Sequence, residues 1–350
     1  METLLWIGLS QSFFAGLIIV TKKNKSTSDQ ILSAWLFLLA IFFLLCGIDS
    51  EIYQYPLLTN SFLLINPAFY LYIKSLIQQD FKLKWKHYFH LSPFVLIQLI
   101  IYVQETPFSL NSIMDIENNA VFGILFIFVS LASWFFYNII SIKRVNNYHK
   151  NLKNELSNIE HNISLRWVLF ILIFYILFCI AVLLLGAYFL IVSKQLIILY
   201  HITNSILLVM VYILGFYGLR QTKININTNQ ENDIKKYKNS LLTVKNKEEI
   251  KESIINYFKS EKPYFDSEFN MDKLSLALNI PKHNLTEVLS TELGNNFFSF
   301  VNNYRINSVK EKLNSNDFNL FSIESIGYDC GFSSKSSFFT SFKKVTGKTP

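Results

Sequence analysis

Residues 166–192 run RWVLFILIFYILFCIAVLLLGAYFLIV and carry no charged side chain after Arg166. A helix needs about 20 mostly apolar residues to cross the hydrocarbon core of a bilayer. This stretch is long enough, and it predicts a transmembrane helix. The fold of the chain then depends on how many similar stretches lie on either side of it.

Six further apolar stretches have similar length and composition, and we interpret each as a span. They lie at roughly 3–21, 31–50, 57–78, 88–104, 120–141 and 196–219. Two contain a proline, Pro67 and Pro93, but neighbouring helices can satisfy the backbone groups that a proline frees. Residues 1–219 are therefore predicted to form a seven-helix transmembrane sensory region.

Lysine and arginine are concentrated in alternate loops between these stretches. The first, third and fifth loops contain eleven of them, whereas the other loops contain only Lys194. Short loops rich in lysine and arginine stay on the cytoplasmic side. We therefore predict a multi-pass protein of the inner (cytoplasmic) membrane, with its N-terminus outside and its C-terminal domain in the cytoplasm.

A few polar side chains fall inside the predicted spans, where they are costly and often functional. Asn66, His201 and Asn204 are candidates to line a ligand pocket, and the alternative is hydrogen bonding between helices. His87 and His90 have the spacing of metal ligands, but no third ligand lies near them in the sequence, so we predict no metal site.

The chain beyond residue 219 has the composition of a soluble protein. Residues 220–261 are predicted to be a cytoplasmic linker and connecting helix. Ile234, Tyr237, Leu241 and Val244 have the spacing of a short coiled-coil seam, which leaves two alternatives, a homodimer or an ordinary amphipathic connector. Residues 246–258 form an apolar stripe that predicts a helix packed on the domain that follows.

Residues 262–350 have a helical pattern that occurs twice. Each copy has two short helices joined by a tight turn, at Asn279–Pro281 and at Gly331–Phe332, and a longer helix from about Phe297 to Leu313 separates the copies. This is the arrangement of two helix-turn-helix units. The predicted fold class is therefore all-α, a polytopic membrane bundle of about seven helices plus a cytoplasmic all-helical domain.

The second helix of a helix-turn-helix unit enters the major groove of double-stranded DNA. Its outward side chains are the candidates for DNA contact. They are Lys282, His283, Asn284, Thr286 and Glu287 in the first unit, and Lys335, Ser336, Ser337, Thr340, Ser341, Lys343 and Lys344 in the second. Residues 262–350 contain ten basic and nine acidic residues, so charge alone leaves open a domain that binds protein instead.

The stretch GFSSKSSFFTSFKKVTGKTP (331–350) resembles the signature of the AraC/XylS family of transcription regulators, as does LSLALNIPKHNLTEVLSTELGNNFFSFVNNYRINSVKEKL upstream. The resemblance covers about residues 262–350 and implies an AraC-type DNA-binding domain. The membrane half resembles a group of family members that carry seven spans. The resemblance therefore implies a regulator with an N-terminal seven-span region.

The chain departs from the family pattern at several positions. Glu287 and Thr340 stand where many members have arginine; Glu287 could accept a hydrogen bond from a cytosine amino group or lie off the DNA. Gly327 replaces the usual alanine, which should loosen its helix by about 1 kcal/mol. The chain stops at Pro350, where the family usually continues into a short last helix. Either the sequence is truncated or the second unit is less stable.

No P-loop, GxGxxG, HExxH or GxSxG motif occurs, and we predict a non-enzyme that uses no cofactor. The expected function is that of a one-component transcription regulator whose transmembrane bundle senses an unknown small-molecule or membrane signal. Its expected partners are double-stranded DNA, the lipid bilayer, that signal and, in one alternative, a second copy of the chain. Two other hypotheses are a transporter or membrane enzyme with an appended helical tail, and a scaffold whose tail binds protein.

Overall fold

The computed structural model describes residues 2–49, 62–78, 81–104, 116–159, 164–191, 197–220, 242–314 and 322–350. Over these ranges the chain forms thirteen α-helices and no strand, so the all-α prediction is confirmed for them. The chain divides into two compact units. The first comprises Met1–Val145 and Leu165–Asn227, and the second Asn146–Ser164 and Thr228–Pro350.

The first unit is built from seven helices, one at each predicted span. They are α1 (Glu2–Val20), α2 (Thr27–Asp49), α3 (Phe62–Ile77), α4 (Ser92–Gln104), α5 (Ile116–Glu155, whose end lies in the second unit), α6 (Arg166–Ile191) and α7 (Ile197–Arg220). A 3-10 helix, Trp85–Leu91, precedes α4. Helix α1 packs against α2 and α7, and α2 also packs against α3.

Two helices in the described ranges are long and apolar enough to cross a membrane by length and composition. They are Thr3–Val20 and Thr27–Ile48, with mean hydropathies of 1.8 and 2.7, whereas Leu63–Ile77, Arg166–Leu177 and Asn204–Arg220 are shorter apolar segments. Helix α4 has 13 residues and measures about 20 Å at 1.5 Å per residue, less than the hydrocarbon core. The seven-span topology therefore stays a prediction.

Polar and apolar side chains of the first unit are distributed unlike those of a soluble domain. Polar side chains such as Asn66, Asn138 and Asn204 are buried among the helices, and large apolar ones such as Phe128 and Phe170 are exposed. Phe128 and Phe170 are 69% and 64% exposed.

The second unit contains the predicted connecting helix and both helix-turn-helix pairs. Its helices are α8 (Val244–Ser260), α9 (Met271–Leu278), α10 (Lys282–Thr291), α11 (Phe297–Leu313), α12 (Ile323–Asp329) and α13 (Lys335–Thr346), with a 3-10 turn at Pro263–Phe265. Helix α8 buries Ile254 and Phe258 in the domain core. The prediction that this helix packs on the following domain is thus confirmed, while Ile234, Tyr237 and Leu241 lie outside the described residues.

Helix α11 divides the apolar interior of the second unit into two cores. Its first half contributes Phe297, Phe300 and Val301 to a core shared with α8, α9 and α10. Its second half contributes Ile306 and Val309 to a core shared with α12 and α13. Each helix-turn-helix pair therefore has its own hydrophobic core, and a single helix of 17 residues connects them.

The two tight turns use different residues for the left-handed backbone that ends their first helix. Asn279 has φ 52° at the end of α9, and Gly331 has φ 91° after α12. A Cβ at Gly331 would collide with the carbonyl oxygen of Tyr264 and lie 3.0 Å from Arg305 Nε. Only glycine fits there, because the turn needs both the positive φ and the close backbone approach.

The end of α5 belongs to the second unit, which the predicted boundary at residue 219 does not anticipate. Residues 146–164 group with the C-terminal helices. Leu156 forms an isolated antiparallel bridge with Asn270, immediately before α9. A local sequence pattern contains no information on such a pairing between segments far apart in the chain.

Candidate nucleic-acid interface

The first turn of α10 carries three of the predicted DNA-contacting residues on the surface. His283 is exposed, and Lys282 and Asn284 are partly exposed. Pro281 stands at the N-cap and supplies no side-chain cap. Backbone N–H groups at a helix N-terminus favour an approaching anion, and these three side chains lie in that first turn.

Thr286 and Glu287, one turn further along α10, are buried. The Thr286 hydroxyl donates to the carbonyl oxygen of Lys282 at 2.8 Å. Glu287 Oε1 lies 2.7 Å from Lys247 Nζ of α8, in an ion pair without the angles of a hydrogen bond. The structure therefore removes both residues from the surface, and of the two roles considered for Glu287 its burial favours the one off the DNA.

The second predicted reading helix, α13, presents most of its candidates to solvent. Ser337 is partly exposed and Ser341 is buried; the exposed residues are Lys335, Ser336, Thr340, Lys343 and Lys344. Ser334 caps the helix by accepting from the Ser337 backbone N–H at 3.2 Å. Helix α13 thus offers hydroxyl and ammonium groups along one exposed side.

The ends of α13 differ in how their charges are held. Lys335 forms an ion pair with Glu324 of α12 and lies over the Phe339 ring at 5.6 Å. Lys343 and Lys344 occupy the last turn, where the helix dipole favours cations, and both are exposed. These two lysines are therefore the residues of α13 best placed to contact phosphate.

Lys282 is held by two carboxylates. Its Nζ lies 2.7 Å from Asp272 Oδ1 and 3.0 Å from Glu155 Oε2. Burial alone would lower the pKa of Lys282, but the hydrogen bonds to Asp272 and Glu155 outweigh it and raise that pKa above its usual value. The side chain is therefore charged at neutral pH, and its charge is already paired.

Arg305 of α11 is completely buried where the segment after α8 meets the two helical pairs. Its Nε donates to the Tyr264 carbonyl at 2.7 Å, and its Nη2 donates to the Asp266 carbonyl at 2.9 Å. Burial lowers the pKa of Arg305 to about 10, against the opposing charge of Asp266. The guanidinium thus stays charged and fixes the backbone of 264–266 against α11.

The polar residues proposed for ligand binding lie on two helices of the first unit, Asn66 on α3 and His201 and Asn204 on α7. Asn66 Oδ1 accepts from the Tyr175 hydroxyl at 3.3 Å, which is a contact between α3 and α6. Asn204 is 1% exposed, and within the part of the chain that the structure describes neither of its amide atoms has a hydrogen-bond partner. His201 lies on α7 with Asn204, one turn earlier. Among the described side chains no contact joins Asn66 to Asn204, and the side chain of His201 lies outside the described part of the chain.

Several residues that act on the candidate interface were not found from the sequence. Asp272 and Glu155 pair with Lys282, and Lys247 pairs with Glu287. Asp272 lies on α9, the helix immediately before Lys282 in the chain. Its negative charge could therefore have indicated an ion pair with Lys282 from the sequence. Glu155 and Lys247 come from distant segments, and no local pattern indicates them.

Comparison with known proteins supports a helix-turn-helix DNA-binding domain in the C-terminal part of the chain. A family described as a helix-turn-helix domain, of the AraC type, matches residues 274–350. No curated protein and no solved structure matches the chain. The match covers both helical pairs and α11, and it supports an AraC-type DNA-binding domain that acts in transcription regulation. It does not extend to residues 1–219.

Proposed function

We propose that the chain is a membrane-embedded one-component transcription regulator that binds specific double-stranded DNA sequences through α10 and α13. The observation that carries this proposal is the AraC-type family match over residues 274–350, where both helical pairs have their second helix at the surface. We propose no enzymatic activity and no cofactor.

DNA contact is assigned to the surface residues of the two reading helices. In α10 these are Lys282, His283 and Asn284, and in α13 they are Lys335, Ser336, Ser337, Thr340, Lys343 and Lys344. A helix fits the major groove, which is about 12 Å wide. Lysines at helix ends contact phosphate and position the domain, while hydroxyl and amide side chains between them contact bases.

The membrane location is supported by the sequence and by the surface of the first unit. Apolar helices coincide with seven apolar stretches, large apolar side chains are exposed, and polar ones are buried. Lysine and arginine accumulate in alternate loops. We propose seven spans with the N-terminus outside, so that the C-terminal domain lies in the cytoplasm with the chromosome.

Signal sensing is assigned to the first unit, in a bundle with buried polar groups. The amide of Asn204 is the supporting observation, because this buried group has no hydrogen-bond partner among the described residues, and a ligand or water would satisfy it. His201 on the same helix and Asn66 complete the candidates. A signal can shift the equilibrium of the domain only if it binds one conformation better than another.

The decisive experiment measures DNA binding by the full chain in lipid nanodiscs, with duplexes selected by that chain from a random-sequence pool. The affinity should fall steeply with salt, with a log–log slope that weakens by about 0.9 for each phosphate contact removed. The double variant Lys343→Gln/Lys344→Gln should bind more weakly and with a shallower slope. Binding that is absent or insensitive to salt would refute the proposal.

A matched control separates local contact from net charge. Lys245 and Lys259 lie on α8 and are exposed. The double variant Lys245→Gln/Lys259→Gln removes the same two charges from the domain. It should retain the affinity and the salt slope of the parent chain.

A further inference from the structure

The residues at the end of α5, Glu155–Asn158, form what we call the docking segment, and they bind the DNA-binding domain through polar groups. The Ser157 carbonyl oxygen accepts from Arg305 Nη1 and from Asn302 Nδ2, each at 3.2 Å. The Ser157 hydroxyl accepts from Arg305 Nη2 at 3.0 Å and donates to the Phe269 carbonyl.

The next residue of the docking segment touches the stretch before the first helix-turn-helix pair and the turn of the second pair. Asn158 Nδ2 donates to the Ser267 carbonyl at 2.7 Å and to the Gly331 carbonyl at 3.0 Å. Ser267 precedes α9, and Gly331 is the turn between α12 and α13. The docking segment therefore bridges the stretch that leads into α9 to the turn of the second pair.

The docking segment supplies oxygen atoms that accept hydrogen bonds from a buried arginine of the domain. Arg305 is 0% exposed, and two of its four hydrogen bonds go to Ser157. A buried guanidinium without acceptors is strongly unfavourable. Withdrawal of the segment would leave Nη1 without the carbonyl it bonds, so water would have to enter. Ser157 itself is 1% exposed, which shows that it fits into the domain rather than lying on it.

The docking segment also holds a lysine that the proposed function assigns to DNA. Glu155 Oε2 lies 3.0 Å from Lys282 Nζ, and the Glu155 side chain is 8% exposed. Glu155 is the last residue of α5, where the helix dipole disfavours a carboxylate. Its ion pair with Lys282 offsets that disadvantage. A phosphate that approached Lys282 would displace this carboxylate or be repelled by it.

We propose that the docking segment is an intramolecular partner of the DNA-binding domain which competes with DNA for Lys282. The proposal rests on the proposed function, because it assigns regulation to the same interface. Docking of the segment then lowers the affinity for DNA by a certain factor, and bound DNA lowers the docking equilibrium constant by the same factor, as linkage requires. Because the docking segment continues α5, whose residues 116–145 belong to the first unit, a change in α5 alters its docking and thereby the affinity for DNA.

The test compares the full chain with its Glu155→Gln variant in nanodiscs, against a duplex selected from a random-sequence pool. The variant keeps the shape of the side chain and removes the competing charge. We expect it to bind the duplex about fivefold more tightly, the size of one favourable partly buried ion pair. The control is Glu261→Gln, which removes an exposed carboxylate that has no ion pair in the described part of the chain. It should leave the affinity unchanged.

Hydrogen exchange of the segment provides a readout independent of affinity. Saturating duplex should accelerate amide exchange in residues 150–159 of the parent chain. The Asn158→Ala variant, which loses two hydrogen bonds to the domain, should exchange fast there without DNA. Equal affinities of Glu155→Gln and the parent chain, or unchanged exchange on DNA addition, would overturn the competition. Absence of salt-dependent DNA binding in every variant would instead defeat the proposed function, while exchange in Asn158→Ala would still report docking.

Discussion

The substitution Gly327→Ala should destabilise the second helix-turn-helix pair, although helix propensity alone predicts the opposite. Gly327 lies inside α12 and is buried. A Cβ built there would lie 2.7 Å from Phe338 Cδ1 and 2.8 Å from Cγ. Contacts below 3.0 Å are essentially never seen, so the Phe338 ring would have to move.

Two opposing effects set the magnitude. Alanine gains about 1 kcal/mol over glycine in a helix interior, and overpacking of a filled core costs about 1–3 kcal/mol. The Phe338 ring is 1% exposed, and the rings of Phe332, Phe339 and Phe342 surround it at centroid distances of 5.2 to 5.9 Å. Because the ring is buried against these three neighbours, we expect a net loss of about 1 kcal/mol.

The assay uses Cys330, which is 0% exposed in the same core. The chain contains three cysteines, and Cys46 and Cys179 are replaced by alanine in the test background. Labelling of Cys330 then requires opening of the second pair. A loss of about 1 kcal/mol raises the opening constant, and with it the labelling rate, about fivefold. The protein is the full chain in nanodiscs.

A second variant tests whether Phe338 is the cause. In a Phe338→Leu background the aromatic ring is absent, so the higher helix propensity of alanine should let Gly327→Ala stabilise α12 and slow the labelling of Cys330. If Gly327→Ala slows the labelling of Cys330 in the chain that retains Phe338, the reasoning is refuted. That result would show that the ring yields at little cost, and that Gly327 only loosens its helix.

Three further predictions follow from other contacts of the second unit. Lys247→Ala should destabilise the first pair by about 2 kcal/mol, because it leaves the buried carboxylate of Glu287 unpaired; Glu287→Gln in addition should restore much of the loss in urea unfolding followed by hydrogen exchange. Burial raises the pKa of the Cys330 thiol to about 11, so thiolate absorbance should appear near that pH in the folded chain. Because the folded state then holds its proton more tightly than the unfolded state, stability should fall as pH rises from the unfolded thiol's pKa toward 11. Titration of Cys330 at the pKa of an ordinary thiol would contradict this. Gly331→Ala should lose the fold of the second pair in the same exchange experiment, since its φ of 91° and the Tyr264 carbonyl both exclude a Cβ, and unchanged protection would show that the turn relaxes.

Local features of the second unit were predictable because they depend on spacing over a few residues. The apolar stripe within residues 246–258 indicated α8, and Ile254 and Phe258 are its buried residues. Asn270 and Ser322 cap α9 and α12, each by accepting from the backbone N–H three residues further on. Caps and apolar periodicity are short-range, so one sequence is sufficient to find them.

Features that depend on tertiary packing were not predictable in the same way. Glu287 was placed among the outward residues of α10, but Lys247 of another helix pairs with it in the interior. The docking of Ser157 depends on a backbone carbonyl that meets Arg305, and every residue has such a carbonyl. Gly327 shows the same limit, since its role depends on where the Phe338 ring lies.

The central claim is that the C-terminal domain shares a compartment with DNA, and fusions after Leu219 test it most directly. A fluorescent protein that folds only in the cytoplasm and a phosphatase active only outside it are fused there in parallel, with fusions at Glu51 as the control for the opposite side. The account predicts that after Leu219 the fluorescent protein is fluorescent and the phosphatase is inactive. At Glu51 it predicts that the fluorescent protein is dark and the phosphatase is active. An active phosphatase after Leu219 would contradict the account, because an outward domain cannot meet the chromosome.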